Sequence, residues 1–444
     1  MVKLKRLKID QFRNVTPGTE LRFRDSFNVL LGKNGTGKTT LLNLIVSILS
    51  WNFSPLLRAP FSIEYDLEAP GARATIRLRN RLAGGTTPPD PGLTPDMRGL
   101  FEEGLRARSE RYETSGEIIL SGQRLPHERA LKFDGSKLTL CELDGSLIDE
   151  WISSAPIAGA QMMWSVVQLM MFQLPEKASE YRGVTLTLAL LAGYNLLLLQ
   201  RFDESLEYLN EITHSEQSCS AHSLENKGQY AVSFRDGSPA SFATRIQQQI
   251  QEAPDTDELR VETGTSGAEF LERVIQLLGF KSAKIRLQRT ARRTEPQGME
   301  IIDFGNMRFD FTKSDRSIIN HTLLSYGQKR LLSFYYYLAC NPTCVVADEL
   351  VNGMHHEWIE ACLNDLGERQ SFLTSQNPLL LDYLGFESAD EVRSSFVLCR
   401  SEQQGEREIL RWENMTAEDA EGFFSAYQVG IQHVSEILRT RGLW

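Results

Sequence analysis

One short run constrains the fold of this chain more than any other: residues 27–40, an apolar strand, a glycine-rich loop and an apolar helix. The loop fits the phosphate-binding pattern G-x-x-x-x-G-K-[ST], with Gly32, Gly37, Lys38 and Thr39 at the fixed positions. Glycines let backbone N–H groups converge on phosphate oxygens, and the helix N-terminus adds a favourable dipole. The run predicts an α/β P-loop fold that binds a nucleoside triphosphate.

Each position of this loop has an expected task. Lys38 would reach the β- and γ-phosphates, and Thr39 would hold Mg²⁺. The predicted nucleotide-binding residues of the loop are Gly32, Asn34, Gly35, Thr36, Gly37, Lys38, Thr39 and Thr40. We therefore expect ATP and Mg²⁺ at this site.

A second acidic motif lies far along the chain. Cys344–Ala347 reads as an apolar strand, and Asp348 and Glu349 follow it directly, which is the Walker B arrangement. We expect Asp348 to bind the water shell of Mg²⁺ and Glu349 to polarise the attacking water. The sequence thus predicts both the phosphate-binding and the water-activating parts of an ATPase.

Composition bounds the class of protein. The chain has 444 residues, of which 41% are apolar and 24% charged, enough for about two to three domains. A formal charge of −10 argues against a strongly DNA-coating protein, although it leaves room for a local basic groove. The six cysteines form no C-x-x-C pair, and no secretory signal is visible. The apolar run 184–199 is shorter than the roughly 20 residues of a membrane span. We expect a cytoplasmic protein without a membrane segment.

The pattern of apolar residues divides the chain into three segments. Residues 1–150 show strand-like alternation around the phosphate loop, and residues 151–315 show helical periodicity that ends in a short β-meander. Residues 316–444 hold the second half of the nucleotide site. The predicted strands of the first segment are Lys3–Ile9, Leu21–Phe23, Phe27–Leu31, Ser62–Leu67, Ala74–Leu78, Glu117–Leu120 and Lys137–Leu140. Residues 215–223 read as a loop between helices.

The order and spacing of the motifs resemble the ABC ATPase superfamily. Lys38 and Asp348 lie 310 positions apart (348 minus 38), a distance that this superfamily accommodates by an insertion between its lobes. Residues 324–328, Leu-Ser-Tyr-Gly-Gln, look like the signature L-S-G-G-Q, with tyrosine in place of the first glycine. Residues 348–355 are similar to the D-E-x-x-x-x-L-H form of the SMC-like and OLD-like branches, and Phe12-Arg13-Asn14 is similar to their F-R-S/N element.

This resemblance implies a fold and further site residues. The fold would be an ABC-type mixed β-sheet core with an antiparallel β subdomain and a large, mainly helical insertion. Arg13 would reach the nucleotide phosphates, and Ser325, Gly327 and Gln328 would complete the site of an opposite protomer. Because one chain has one phosphate loop and one signature, the resemblance implies a homodimer or a higher homo-oligomer.

Two departures from the family pattern concern the chemistry of the site. Gln376 stands where the family has its switch histidine, and glutamine cannot take up a proton near neutral pH. We therefore predict a catalytic contribution from Gln376 and slow turnover. No single glutamine stands out for the family's Q-loop, for which Gln161, Gln168 and Gln173 are all candidates.

Two charged features suggest partners. A cationic cluster is a nucleic-acid-binding face, a solvated strand face or a contact for an acidic partner; its members are Lys281, Lys284, Arg286, Arg289, Arg292 and Arg293. Asp255 and Asp257 offer the D-x-D of a TOPRIM nuclease but follow a polar helix end rather than a buried strand, so we expect any nuclease to be a separate protein.

The resemblance extends to the ATPase subunits of bacterial antiphage systems such as PARIS, which restrain a TOPRIM-type effector. It implies an ATP-dependent sensor that regulates a partner effector. The alternatives are a DNA-maintenance ATPase that clamps DNA, an ATP-dependent assembly scaffold, and the engine of a membrane transporter. The transporter fits poorly because such subunits lack so large an insertion.

Overall fold

The computed structural model describes residues 2–444 except 83–111, 124, 126, 136, 153–177, 193–198, 204, 225–228, 236 and 297. Two compact units are present. The first contains residues 1–199, 386–432 and 436–444, and the second contains residues 200–385 and 433–435. The sequence predicts a different division, into the segments 1–150, 151–315 and 316–444, and that division stays a prediction.

An eight-stranded antiparallel sheet forms most of the first unit. Its spatial order is β2-β1-β4-β5-β6-β7-β8-β9. The strands are β1 Lys3–Phe12, β2 Thr19–Arg22, β4 Phe61–Ala69, β5 Ala72–Leu82, β6 Tyr112–Gly122, β7 Arg129–Asp134, β8 Lys137–Cys141 and β9 Leu147–Ile152. In β4 every second residue is buried, because alternate side chains of a strand point to one face. Helix α2, Ala178–Ala192, contacts β4, β5 and β6.

The phosphate loop of the first unit follows a strand that belongs to a second, smaller group of strands. Strand β3, Phe27–Leu31, lies parallel to β18, Phe396–Gln404, which pairs antiparallel with β19, Arg407–Asn414. Helix α1, Lys38–Leu49, follows the loop. Near the end of the chain come α9 Ala389–Ser395, α10 Ala417–Val429 and α11 Val434–Thr440.

The second unit contains a sheet that runs β11-β10-β14-β13-β12, with β15 paired to β14. Its strands are β10 Cys219–Ser223, β11 Tyr230–Phe234, β12 Glu258–Glu262, β13 Ser282–Thr294, β14 Glu300–Thr312 and β15 Ile318–Asn320. Helices α3 Glu207–His214, α4 Ala240–Glu252 and α5 Glu269–Leu278 contact these strands. Among the described residues between 151 and 315, helices therefore alternate with strands. The loop expected at 215–223 is wrong from Cys219 onward, because Cys219–Ser223 form β10.

The acidic motif of the second unit lies on a separate parallel pair. Strand β16, Cys344–Ala347, pairs with β17, Gln370–Thr374, and all nine of their residues are buried. Helix α6, Tyr326–Cys340, precedes this pair, and α7 His356–Leu366 and α8 Pro378–Asp382 complete the unit. Because parallel strands end at the same edge, Asp348 and Ser375 leave the pair side by side.

Candidate functional site

The phosphate loop needs glycine at two positions for steric reasons. A Cβ atom on Gly32 would lie 2.2 Å from the carbonyl oxygen of Cys399, and one on Gly37 would lie 2.6 Å from Leu410 Cδ1. Gly37 also has a φ of +80°, which other residues rarely adopt. The loop thus lies directly against β18 and β19, with no room for side chains at these positions.

Lys38 lies over the loop that precedes it. Its side chain is 8% exposed, and Nζ donates to the carbonyl oxygens of Gly32 at 2.8 Å and Lys33 at 3.1 Å. The loop's shape is held by Thr36, whose hydroxyl donates to Lys33 O, and by Trp412, whose indole N–H donates to Thr36 O at 3.0 Å. An ammonium group at the start of a twelve-residue helix makes this a suitable site for phosphate anions.

The other predicted residues of the first unit have different exposures. Asn34, Gly35 and Thr39 are exposed, and Thr40 is half-buried. Arg13 has a φ of +48°, and its guanidinium carbon lies 5.5 Å from the centre of the Phe12 ring. The neighbouring residue Asn14 donates from its side chain to Glu408 O at 3.0 Å, which fixes the turn that carries Arg13.

In the second unit, Asp348 and Glu349 share one threonine. The Thr374 hydroxyl donates to Asp348 Oδ1 at 2.5 Å and accepts from the backbone N–H of Glu349 at 2.9 Å. The N–H of Gln376 donates to Glu349 Oε2 at 2.8 Å. The structure therefore brings Glu349, Asp348 and Gln376 together, with the exposed Gln376 beside the Glu349 carboxylate.

Glu349 has an unusual backbone. Its φ is +52°, a left-handed conformation that costs of order 1–2 kcal/mol for a residue with a Cβ atom. The fully buried Arg330 donates to the carbonyl oxygens of Glu349 and Leu350, and also to Asp203 O at 2.7 Å. A charged donor that bonds both carbonyls holds this strained turn in place.

The predicted signature residues begin helix α6. Ser325 is the N-cap of this helix. Its backbone N–H donates to Gln328 Oε1 at 2.9 Å, and its hydroxyl oxygen accepts from the backbone N–H of Gln328 at 3.4 Å. This reciprocal pair is a capping box. A Cβ atom on Gly327 would lie 2.6 Å from Gly353 O, so glycine is required for the close approach of residue 353. A Cβ atom on Gly353 would in turn lie 2.7 Å from Tyr326 Cε1.

A short segment beside the acidic motif was missed by the sequence reasoning. Phe202 accepts from Asp348 N at 2.7 Å and donates its own N–H to Val346 O at 2.9 Å, forming a parallel bridge to β16. Arg201 forms an ion pair with Asp348 and another with Asp203. The three Q-loop candidates of the sequence, Gln161, Gln168 and Gln173, lie outside the described residues. No pattern in the sequence singles out residues 201–203.

The cationic cluster on β13 is largely paired with acids. Arg286 pairs with Glu258 and Asp310, whereas Arg289 pairs with Asp257. Arg292 pairs with Asp255 and Glu300, and Arg293 pairs with Asp303. Both carboxylates of the D-x-D motif are thus used in ion pairs, which fits the interpretation as a solvated strand. In the described part of the chain, no three metal-ligating side chains of the His, Cys, Asp and Glu types converge.

The residues present fit ATP and Mg²⁺. The glycines allow the phosphate loop to pack directly against β18 and β19, and Lys38 supplies the positive charge. In the first unit Thr39 offers a hydroxyl oxygen, and in the second unit Asp348 offers a carboxylate oxygen; each is a ligand type that Mg²⁺ prefers. Among the helices that the structure describes, none combines the length and hydropathy needed to cross a bilayer.

Comparison with known proteins gives one family match. Residues 6–117 match the family model described as AAA domain. No curated protein matches the chain. Three solved structures to which this chain is similar are SMC heads.

The SMC head domain from Thermotoga maritima is 11% identical, with 93% of this chain and 99% of that chain covered and a TM-score of 0.35. The SMC head bound to the C-winged helix domain of ScpA is 11% identical, with 93% and 98% covered and a TM-score of 0.40. The Smc head domain with an extended coiled coil, bound to the C-terminal domain of ScpA, from Pyrococcus furiosus, is 10% identical, with 96% and 100% covered and a TM-score of 0.37. The described strands and helices form a mixed α/β fold, and residues 6–117 are similar to the AAA domain family.

Proposed function

We propose that this protein is an ATP-binding and slowly hydrolysing ABC-type ATPase of the SMC-like and OLD-like branch. The observation that carries the proposal is the phosphate loop, where Lys38 Nζ donates to Gly32 O and a Cβ atom on Gly32 would lie 2.2 Å from the backbone carbonyl oxygen of Cys399. Lys38 and the first N–H groups of α1 bind the phosphates, and Thr39 and Asp348 hold Mg²⁺. Bound Mg²⁺ neutralises charge on the phosphate oxygens.

The proposed water activation depends on Glu349. Its Oε2 already accepts from the N–H of Gln376, so the carboxylate is held in one orientation while Oε1 remains to accept from water. Gln376 donates and accepts hydrogen bonds but does not take up a proton near neutral pH. Turnover is therefore slow compared with that of a site carrying histidine at this position.

The nucleotide test uses two variants with opposite expected effects. Lys38→Ala removes the phosphate-binding cation and should abolish ATP binding in calorimetry, whereas Glu349→Gln should retain ATP and lose phosphate release. Lys313→Ala, in an exposed turn, and Glu360→Gln, on an exposed face of α7, are the matched controls. Unchanged phosphate release in Glu349→Gln would remove this residue from the mechanism.

The proposed assembly is a homodimer in which Ser325, Gly327 and Gln328 of one protomer complete the site at Lys38 of the other. Mixing Lys38→Ala protein with Ser325→Arg protein places both defects in one of the two sites of a heterodimer and leaves the other intact. We expect partial recovery of hydrolysis, although neither parent is active. A verified heterodimer that stays inactive would contradict shared sites.

The proposed role is that of a sensor that regulates a separate effector, a TOPRIM-type nuclease, in antiphage defence. This role rests on the resemblance of the motifs to such ATPase subunits and on slow turnover, which suits a protein that must persist in one state. The test is co-expression with the neighbouring gene and a phage trigger, which should arrest growth, whereas the ATPase alone should not. Growth unaffected by the full combination would exclude the sensor role.

A DNA-maintenance ATPase remains the second candidate, with the cationic cluster on β13 as its DNA-binding face. The acids that pair with Arg286, Arg289, Arg292 and Arg293 reduce the charge available to phosphates. Charge reversal at Lys284, Arg286 and Arg289 should weaken binding to all DNA sequences alike if this candidate is correct. Absence of DNA binding at low salt would leave the cluster as a solvated strand.

A further inference from the structure

The segment Arg201–Asp203 is fixed beside the Walker B strand by its middle residue. Phe202 is 1% exposed, and its ring lies 5.6 Å from that of Phe334 and 5.5 Å from that of Tyr337. The Tyr337 hydroxyl donates to Gln200 O at 2.9 Å and accepts from Val346 N at 3.0 Å. Burial raises the pKa of Tyr337, so this hydroxyl keeps the proton that it donates. Residues 201–203 are therefore held firmly beside the end of β16, where Asp348 lies. We call this region, with Asp203 and Asp348, the acidic edge.

Arg201 connects two carboxylates at this edge. Each carboxylate has one oxygen held by a local donor: Asp348 Oδ1 accepts from Thr374, and Asp203 Oδ1 accepts from the hydroxyl and N–H of Ser205 at 2.6 and 3.0 Å. The Oδ2 atoms of both aspartates pair with the guanidinium of Arg201, which is 3.3 Å from Asp203 Oδ2. One cation thus pairs with two carboxylates, whose side chains are 11% and 28% exposed, and compensates only one of their two negative charges.

We propose that Arg201 is a positioning residue and an internal counter-ion that competes with the divalent cation for Asp348. This inference rests on the proposed function, because there Asp348 is the carboxylate that holds Mg²⁺. Arg201 and a divalent cation both require the negative charge of Asp348, so each weakens the binding of the other. The ion pair therefore sets the Mg²⁺ concentration at which Mg²⁺, rather than Arg201, compensates the negative charge of Asp348.

Removal of Arg201 should strengthen metal binding, whereas removal of a metal ligand weakens it. Without its guanidinium, Asp203 and Asp348 repel each other across a partly buried edge, and a divalent cation relieves that repulsion. Arg201→Ala should therefore bind Mn²⁺ more tightly than the unmutated protein, whereas loss of a purely structural ion pair would leave metal affinity unchanged.

The experiment is a titration of the full chain with MnCl₂ alone, with free Mn²⁺ measured by electron paramagnetic resonance. We expect the half-saturating Mn²⁺ concentration to fall by about fivefold or more in Arg201→Ala, since a neighbouring unit charge is removed. Arg201→Lys keeps the charge and should stay within about twofold of the unmutated protein. The matched control is Arg273→Ala, which removes the Arg273–Asp365 pair at 2.7 Å in the same unit. It should leave Mn²⁺ binding unchanged.

Equal or weaker Mn²⁺ binding in Arg201→Ala, or an equal gain in Arg273→Ala, would overturn the competition. Should Arg201→Ala fail to fold, Asp203→Asn tests the same idea, because Arg201 then pairs with Asp348 alone and Mn²⁺ binding should weaken. Unchanged affinity in Asp203→Asn would count against the proposal. The Mn²⁺ titration contains no nucleotide and therefore tests only the competition for Asp348. The proposed function is tested separately: it would be contradicted if Lys38→Ala still bound ATP, whatever the titration shows.

Discussion

The left-handed backbone of Glu349 gives the sharpest test of strain at the acidic motif. Glu349→Ala and Glu349→Gly both remove the carboxylate and its bond to Gln376 N, and they differ only in the Cβ atom. At a φ of +52° the Cβ atom costs of order 1–2 kcal/mol. The greater chain entropy of unfolded glycine cancels about 0.5–1 kcal/mol of this gain. The glycine variant should therefore be more stable by about 1 kcal/mol.

The assay is thermal unfolding followed by circular dichroism, with urea unfolding as a second measure of the free energy. For a unit of about 190 residues, about 1 kcal/mol corresponds to a Tm that is about 2–4 °C higher in the glycine variant than in the alanine variant. Both variants should be equally inactive in hydrolysis, so the comparison separates backbone strain from catalysis.

The matched control is the same pair of substitutions at Glu360, an exposed position inside helix α7. There glycine should be less stable than alanine by about 0.5–1 kcal/mol, because the backbone is helical. The order of the two variants should reverse between the two positions. A glycine variant at 349 that is less stable than its alanine counterpart would refute the inference of strain.

Three further predictions concern buried polar groups. Arg330→Met leaves three backbone carbonyls without their charged donor and should lower Tm by about 6–12 °C, for a loss of about 3 kcal/mol in differential scanning calorimetry. Trp412→Phe removes the donor to Thr36 O and should cost about 1 kcal/mol in urea unfolding, with weaker ATP binding in calorimetry. Burial lowers the pKa of His321 to about 4 from its ordinary 6.5, so stability should fall as pH drops from about 6.5 towards 4. In His321→Asn this pH-dependent loss should be smaller, as measured by urea unfolding at several pH values.

The sequence predicts best where local chemistry decides the structure. The phosphate loop and strand β3 follow from glycines and an apolar run within residues 27–40, and the strand predicted at Phe27–Leu31 has the observed bounds. The alternation in β4 and β5 is also local, since each strand buries one face. The fold class could therefore be predicted from short patterns alone.

Strand β10 shows what the sequence does not reveal. Its residues Cys219–Ser223 include two serines and a histidine, and the strand lies in a region that reads as a loop. In the structure, the hydroxyl of Ser220 donates to the buried Asp303 at 2.6 Å, 83 positions away. A polar strand held by a distant carboxylate carries no apolar periodicity, so periodicity cannot find it.

The acidic edge was predictable only in part. Asp348 and Glu349 follow an apolar strand, and that local pattern finds them. Arg201 pairs with Asp348 across 147 positions, and no local pattern announces such a partner. The capping box of Ser325 and Gln328 has a local signature, but the same residues also match the ATPase signature, and the sequence does not separate the two roles.

The support of the phosphate loop by Trp412 has a consequence for biosynthesis. Thr36 and Trp412 are 376 positions apart, and β3 also pairs with β18, which begins at Phe396. A ribosome adding about 5–20 residues per second needs roughly 20–75 s to pass from one to the other. During that interval the nascent loop has neither its neighbouring strand nor its indole donor. The phosphate loop should therefore acquire nucleotide affinity only after Trp412 has been translated, so bound ATP cannot protect the nascent chain before that point.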